Sequence, residues 1–323
     1  MNVSLPSIRR FGFGLLLLAL SITIAGITLA RYHSAKPAAP RPTATSSPTP
    51  AAPPSPTPTP TPTPPPLSAR AAVVIDVTDD QVLLDHQGEL PLPPASTLKL
   101  LTALTARAIL QPEEVVTIQP EDIVDPTAES AMGLLPGDMV TVHDLLIGLL
   151  LPSGNDAARA LARIAGERLA TPNVGAPSER FLHAMRDKAK NLGLGQTIVR
   201  TPDGDDVPGQ VTSAHDLARL ARAVLADPEL AAIVAMREAR VRLGGAQARV
   251  LDLTNTNELL GQLGVVGVKT GTTPAAGQCL VAAWRTRDER LYLAVVLGSQ
   301  DRYADVRALI DWVAVTTGSV PVP

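Results

Sequence analysis

Pro93-Pro94-Ala95-Ser96-Thr97-Leu98-Lys99-Leu100-Leu101-Thr102-Ala103-Leu104 is where two prolines give way to strong helix formers. A residue before proline is biased away from the helical region, whereas Leu and Ala favour it. A helix is therefore expected to begin here. Ser96 and Lys99 are three apart and share one face of it. A serine hydroxyl is a weak nucleophile until a base takes its proton, and a lysine kept neutral by burial or by a nearby cation can be that base. In the first turn the Ser96 N–H has no intrahelical partner and can point at an oxyanion. The spacing alone is common, and an exposed lysine on an ordinary core helix explains it equally well.

The chain has 323 residues. Its first fifth is not globular in composition, which leaves about 250 residues for folding, enough for a sizeable core. A net charge of −3, with no basic block, gives nucleic acid no electrostatic footprint. Aromatic residues are only 2%, so the core must come from Leu, Val, Ala and Ile. The one cysteine, Cys279, sits in an apolar run, permits no internal disulfide and reads as a packing residue. The five histidines form no HExxH or HxH pair, which argues against a zinc hydrolase. Neither a metal nor an organic cofactor is expected.

Phe11 to Ala30 carries no charge. About 20 such residues suffice to span a bilayer as a helix, and no clean A-x-A cleavage site follows. Residues 1–10 are then a short cytoplasmic N-terminus and 11–30 a retained anchor or uncleaved signal. The expected location is the cell membrane, single-pass, with the folded part outside the cytoplasm, or secreted if the segment is cut. Residues 31–67 are rich in Pro, Thr, Ala and Ser, including an alternating Pro-Thr run at 56–64. Such a segment has little to bury and is expected to be an extended polyproline-like spacer. At ~3.1 Å per residue its part from Lys36 to Pro66 reaches on the order of 90 Å.

The folded part is placed at 68–318, with 319–323 as a tail. Residues 71–76 and 81–85 read as two strands joined by a turn. Residues 113–141 hold short apolar pieces with Pro and Gly-Asp breaks and read as an irregular excursion. Residues 142–151, 155–169, 179–192 and 214–225 have helical periodicity. Residues 265–269, 279–285 and 291–297 are strand-like, and 302–315 is a terminal helix. Strands at both ends with helices between imply one α+β domain, whose first and last segments share an antiparallel sheet beside a helical subdomain.

Two further motifs stand out. Ser153-Gly154-Asn155 lies between two apolar helices, where small residues let a substrate approach. Lys269-Thr270-Gly271 ends a strand and is followed by Thr272-Thr273-Pro274. Singly, they read as a helix-linking turn and a hairpin rim. In this order with Ser96–Lys99 they resemble the serine penicillin-recognising enzymes, whose signature is SxxK, S-[DG]-N and K-T-G.

The flanks narrow the resemblance to the low-molecular-weight penicillin-binding proteins, the serine D-alanyl-D-alanine carboxypeptidases. Pro94-Ala95-Ser96-Thr97-Leu98-Lys99 is similar to their nucleophile helix, and residues 145–158 (LLIGLLLPSGNDAA) to their second motif. Asn255-Thr256-Asn257-Glu258-Leu259-Leu260, leading into Gly267–Gly271, matches the third. The resemblance runs from about Ala71 to Trp312. It departs at Leu98, where the family has Thr, and at Thr201-Pro202-Asp203-Gly204-Asp205, where an Asn-Pro-His-Gly-Leu-like segment is expected. The second β-domain and C-terminal membrane helix of some members are expected to be absent, with the N-terminal span in their place.

The resemblance implies a β-lactamase/transpeptidase-like fold and acyl transfer through a Ser96 ester. Lys99 would be the base, kept neutral by Lys269 as a second cation. Ser153 would relay a proton to the leaving D-alanine, and Asn155 would hold the substrate amide. The N–H groups of Ser96 and Thr272 would form the oxyanion hole. Thr270, Lys269 and Arg302 would bind the terminal carboxylate, and Gly271 and Thr272 would also belong to the substrate-binding set. The implied partners are a peptidoglycan peptide as substrate and β-lactams as inhibitors. No E-x-x-L-N glutamate follows Asn155, so rapid β-lactam turnover is not expected. An endopeptidase acting on cross-links would use the same residues, and a membrane-tethered penicillin sensor is the non-enzymatic alternative.

Overall fold

Ala71-Ala72-Val73-Val74-Ile75-Asp76 forms strand β1 (Ala71–Asp76), with every residue buried. A short run apolar on both faces suits the interior of a sheet covered on both sides. That is where the computed structural model, which describes residues 62–170 and 175–323, places it. β2 (Gln81–His86) pairs with it as an edge strand whose only buried residue is Leu84. A single 3-10 turn, Ala95–Leu98, leads into α1 (Lys99–Arg107). Two short paired strands follow, β3 (Val115–Thr117) and β4 (Met139–Thr141).

The helical part comprises α2 (Val142–Leu150), α3 (Asn155–Arg168), α4 (Pro177–Asn191), α5 (Ala214–Ala226) and α6 (Pro228–Val234). A hairpin of β5 (Glu238–Leu243) and β6 (Arg249–Thr254) precedes β7 (Val265–Thr273), β8 (Gly277–Arg285) and β9 (Leu291–Ser299). Helix α7 (Arg302–Thr317) closes the chain. The main sheet is antiparallel throughout, in the order β2-β1-β9-β8-β7. β1 thus pairs with β9, and the two ends of the domain share the sheet as expected.

Side chains alternate across a strand, and the core divides accordingly. Val73, Val281 and Val295 face the helical part together with α1, α2, α3 and α5. Val74, Ala282 and Val296 face the other way, onto Val306, Leu309 and Ile310 of α7. Trp284 stacks on Tyr292 in that second layer, with ring centroids 5.4 Å apart. Cys279 is buried in the first layer, where burial raises its thiol to about 11, consistent with an inert packing role. Spacer residues also reach this domain: the Trp312 indole N–H donates to the Pro62 carbonyl at 3.0 Å, and Leu67 packs against the α7 layer.

Three features differ from the sequence reading. The helix begins at Lys99, and Ser96 lies in the 3-10 turn before it. The stretch read as irregular contains β3 and β4. Residues 228–254, left without elements, form α6 and the β5–β6 hairpin. That hairpin buries only Val241, Leu243 and Leu253, so its apolar signal is weak. The expected span at 11–30 and spacer residues 31–61 lie outside the described residues. Among the described residues no helix is long and apolar enough to cross a membrane.

Candidate active site

The nucleophile turn is squeezed between two backbones. Ala95 has φ +48°, a costly conformation for a residue with a Cβ. The Thr97 hydroxyl ties the turn back to the Pro94 carbonyl at 2.6 Å. On one side runs Gly204, where a Cβ would meet the Ala95 carbonyl oxygen at 2.0 Å. On the other runs β7, where a Cβ on Gly271 would stand 3.0 Å from the Ser96 and Thr97 nitrogens. Both glycines permit approaches that a side chain would block.

Ser96 is half-buried and lines a cleft of about 500 Å³ with Ser130, Ser153, Thr270, Thr272 and Arg302. Behind it, Lys99 has no solvent exposure. Its ammonium donates to Ser96 Oγ at 2.8 Å, Asn155 Oδ1 at 2.6 Å and the Asp203 carbonyl at 2.8 Å. Burial lowers the Lys99 pKa to about 8, although Asp203, Asp205, Asp156 and Glu129 act in the opposite direction. The expected effect of a second cation is felt at the other lysine. Lys269 is held well below its ordinary value by burial first, then by Lys99 and Arg302.

The Ser153-Gly154-Asn155 turn is set by α2 and α3. Ser153 has φ +67°, and its buried hydroxyl has no hydrogen-bond partner among the described residues. A buried hydroxyl left free is costly, and a proton relay needs such a group. Asp156, in the first turn of α3, accepts from the Met132, Gly133 and Leu134 N–H groups at 2.9, 2.9 and 3.1 Å. That anchor brings Glu129 and Ser130 to the site. Asn155 is brought there too, but its amide faces inward. Its oxygen accepts from Lys99, and its nitrogen donates to Glu129 at 2.8 Å and to Asp205 at 3.3 Å.

The third motif lies on β7, the strand of the main sheet that borders the nucleophile turn. Lys269 is buried, and its ammonium donates to the Thr270 carbonyl at 3.0 Å. The Thr270 hydroxyl shares a 2.6 Å hydrogen bond with Thr256, whose N–H donates to the Leu151 carbonyl at 3.1 Å. Arg302 donates to the Gly271 and Cys279 carbonyls at 2.9 and 3.0 Å, and to the Thr272 hydroxyl. Its guanidinium therefore sits at the cleft end of β7. All nine expected residues (Ser96, Lys99, Ser153, Asn155, Lys269, Thr270, Gly271, Thr272 and Arg302) converge here.

The sequence reading did not assign roles to Glu129, Arg159, Asp205 or Thr256. Thr256 stands in the quoted flank of the third motif and Asp205 in the segment that departs from the family pattern, so each carried a signal. Glu129 carried none. Arg159, one turn beyond Asn155 on α3, was legible only as a helix-face neighbour. The carboxylates of Glu129, Asp203 and Asp205 lie within 4.8 Å of one another. Arg159 reaches both Glu129 oxygens, at 3.0 and 2.8 Å.

Residues 59–301 match the profile of the peptidase S11 family, D-alanyl-D-alanine carboxypeptidase. The chain is 34% identical over 261 residues to the D-alanyl-D-alanine carboxypeptidase DacC of Escherichia coli K12, covering 76% of this chain and 61% of that one. It therefore spans about three fifths of the length of that relative. It is 36% identical over 253 residues to DacB2 of Mycobacterium tuberculosis H37Rv, covering 76% of this chain and 81% of the relative. The crystal structure of the Streptomyces K15 DD-transpeptidase is similar, with a TM-score of 0.72 at 30% identity, over 77% of this chain and 98% of that one.

Proposed function

The chain belongs to the D-alanyl-D-alanine carboxypeptidase family of serine peptidases, and from that premise we propose that it removes the terminal D-alanine of peptidoglycan pentapeptides through a Ser96 ester. The observation that carries the reading is the 2.8 Å hydrogen bond between Ser96 Oγ and a lysine wholly withdrawn from water. Ser96 Oγ attacks the carbonyl carbon of the penultimate D-alanine while its proton passes to Lys99. The Ser96 and Thr272 N–H groups receive the oxyanion. The C–N bond then breaks, and the departing amine takes a proton through the Ser153 hydroxyl. Water attacks the ester, Lys99 again accepts a proton, and Ser96 is restored.

The substrate carboxylate is assigned to Thr270, Thr272 and Arg302, with Lys269 directly behind Thr270. A carboxylate arriving there favours the charged form of Lys269. Asn155 uses its amide on Lys99, Glu129 and Asp205 in the free protein, so its main part is to hold the base. A β-lactam enters the same reaction and stays as the ester. Mass spectrometry of residues 62–323 after exposure to penicillin is expected to show one adduct, on the peptide bearing Ser96. An unmodified mass, or an adduct that survives Ser96→Ala, would sink the reading. D-alanine release from a peptide ending in D-Ala-D-Ala measures turnover.

The same reading puts the domain outside the cytoplasm, tethered to the membrane through residues 11–30. The uncharged apolar run and the proline-rich spacer after it support this. The full chain is expected in the membrane fraction with its N-terminus intact. A mature N-terminus found between residues 30 and 66 would replace the anchor with a cleaved signal.

A further inference from the structure

Behind Lys99, on the side away from the cleft, Glu129, Asp205 and Arg159 meet around Asn155. No step of the reaction above calls on these three. A carboxamide can sit either way round, and only one way suits a lysine. With the amide turned over, its NH2 would face the Lys99 ammonium, donor against donor. The groups at the far end of Asn155 decide between the two. Both are carboxylates, Glu129 at 2.8 Å and Asp205 at 3.3 Å, and both only accept. Glu129 is itself fixed by Arg159, which donates to both of its oxygens.

We propose that Glu129 and Asp205 are positioning residues for the acyl transfer: they hold the Asn155 amide with its oxygen on Lys99 and place negative charge beside that base. The charged groups around Lys99 come from four elements. Helix α3 contributes Asp156 and the cation Arg159, the connection between β3 and β4 contributes Glu129, the loop after α4 contributes Asp203 and Asp205, and β7 contributes Lys269. Asp156 is committed to four backbone N–H groups, and Asp203 reaches Lys99 through its carbonyl as well as its charge. Glu129 and Asp205 alone touch both the amide and, through space, the lysine charge. Burial alone would make Lys99 too weak a base to take the Ser96 proton that is later passed to the leaving amine. The two carboxylates, together with Asp203 and Asp156, counter that, so the lysine can both take a proton and give it back.

The charge effect can be read without substrate. The chain has only five lysines, so a titration of protein carrying ε-13C lysine resolves Lys99, assigned with Lys99→Met. The wild-type midpoint is expected near about 8. In Glu129→Gln and in Asp205→Asn it should fall by about one unit, more in Asp205→Asn, because Asp205 acts on Lys99 more strongly. The acid limb of the penicillin acylation profile should move with it. Glu129→Gln keeps an acceptor for the Asn155 amide, so its maximal acylation rate should exceed that of Glu129→Ala. Asp205 is half-exposed and has no arginine clamp among the described residues, so Asp205→Asn serves even if Glu129→Gln disturbs the Arg159 contact. A Lys99 midpoint unchanged in both variants overturns the inference, and lowered rates with an unmoved midpoint would mean a merely structural role. The inference rests on the carboxypeptidase reading for its consequence in catalysis. Wild-type protein that takes up no penicillin overturns that reading, while the titration still decides the charge effect.

Discussion

Lys99 makes three hydrogen bonds and has no contact with water, and its chemistry follows from that placement. With its pKa lowered to about 8 by burial, the free amine is the minor form at neutral pH and the major one above the midpoint. The sign is fixed: the base form grows as pH rises, so acylation should increase about tenfold per pH unit below the midpoint and level off above it. A stopped-flow series with a fluorescent penicillin from pH 6 to 10 measures this, and a rate that falls between 7 and 8 would contradict it. Lys99→Arg keeps the charge but cannot accept a proton in this range. It should fold and lose roughly 10²–10⁴-fold in acylation. Lys269→Arg keeps a cation near Thr270 and should lose less. Much of this was legible in the sequence because Ser96 and Lys99 are three residues apart. The contacts of Asn155 with Glu129 and Asp205 were not, since they join positions 26 and 50 residues apart.

At the scale of elements, the site is an arrangement of backbones held to within a fraction of an ångström. β7 touches the nucleophile turn at Gly271, where an added Cβ would lie 3.0 Å from the Ser96 and Thr97 nitrogens. That contact is tight but can be relieved by a small retreat of the strand. Gly271→Ala should therefore leave the protein folded and move Thr270 and Thr272 away from Ser96. Misplacement of this kind costs up to roughly 10²-fold, so acylation should slow by at least about tenfold with little change in melting temperature. Wild-type rates in the variant would mean that β7 does not set the geometry. Gly204→Ala is the harsher case: its φ is +90° and the clash is with backbone, so loss of stability is expected there. The long strands and helices were readable because β1, β8 and β9 are apolar on both faces and the helices keep their period. The β5–β6 hairpin was not, although Arg240 and Arg242 alternate with Ala239, Val241 and Leu243, because so little of it is buried that its apolar signal is weak.

For the molecule as a whole, the question is whether the α7 layer and the layer bearing the site can come apart. A domain of this length exceeds the size at which all-or-none unfolding is the default. The topology works against separation. β1, β8 and β9 each give alternate residues to both layers, so neither layer can open without exposing the back of the other. Asp305 adds a second tie. It is buried and accepts from the Ser68 N–H at 2.9 Å, the Ser68 hydroxyl at 2.8 Å and the Ser299 hydroxyl at 2.6 Å. This joins α7 to the segment before β1 and to the end of β9. Both tryptophans, Trp284 and Trp312, lie in the α7 layer, whereas Ser96 is beside the other. Tryptophan fluorescence and penicillin acylation thus report on opposite sides of one sheet. In a urea titration of residues 62–323 the two signals should be lost together, with one midpoint. Asp305→Ala leaves the Ser68 and Ser299 donors without their acceptor and should cost about 2–3 kcal/mol. It should lower both midpoints equally. Loss of acylation at a urea concentration where fluorescence is still native would show that the site layer opens by itself, and the interleaved sheet would then not be what holds the catalytic residues together.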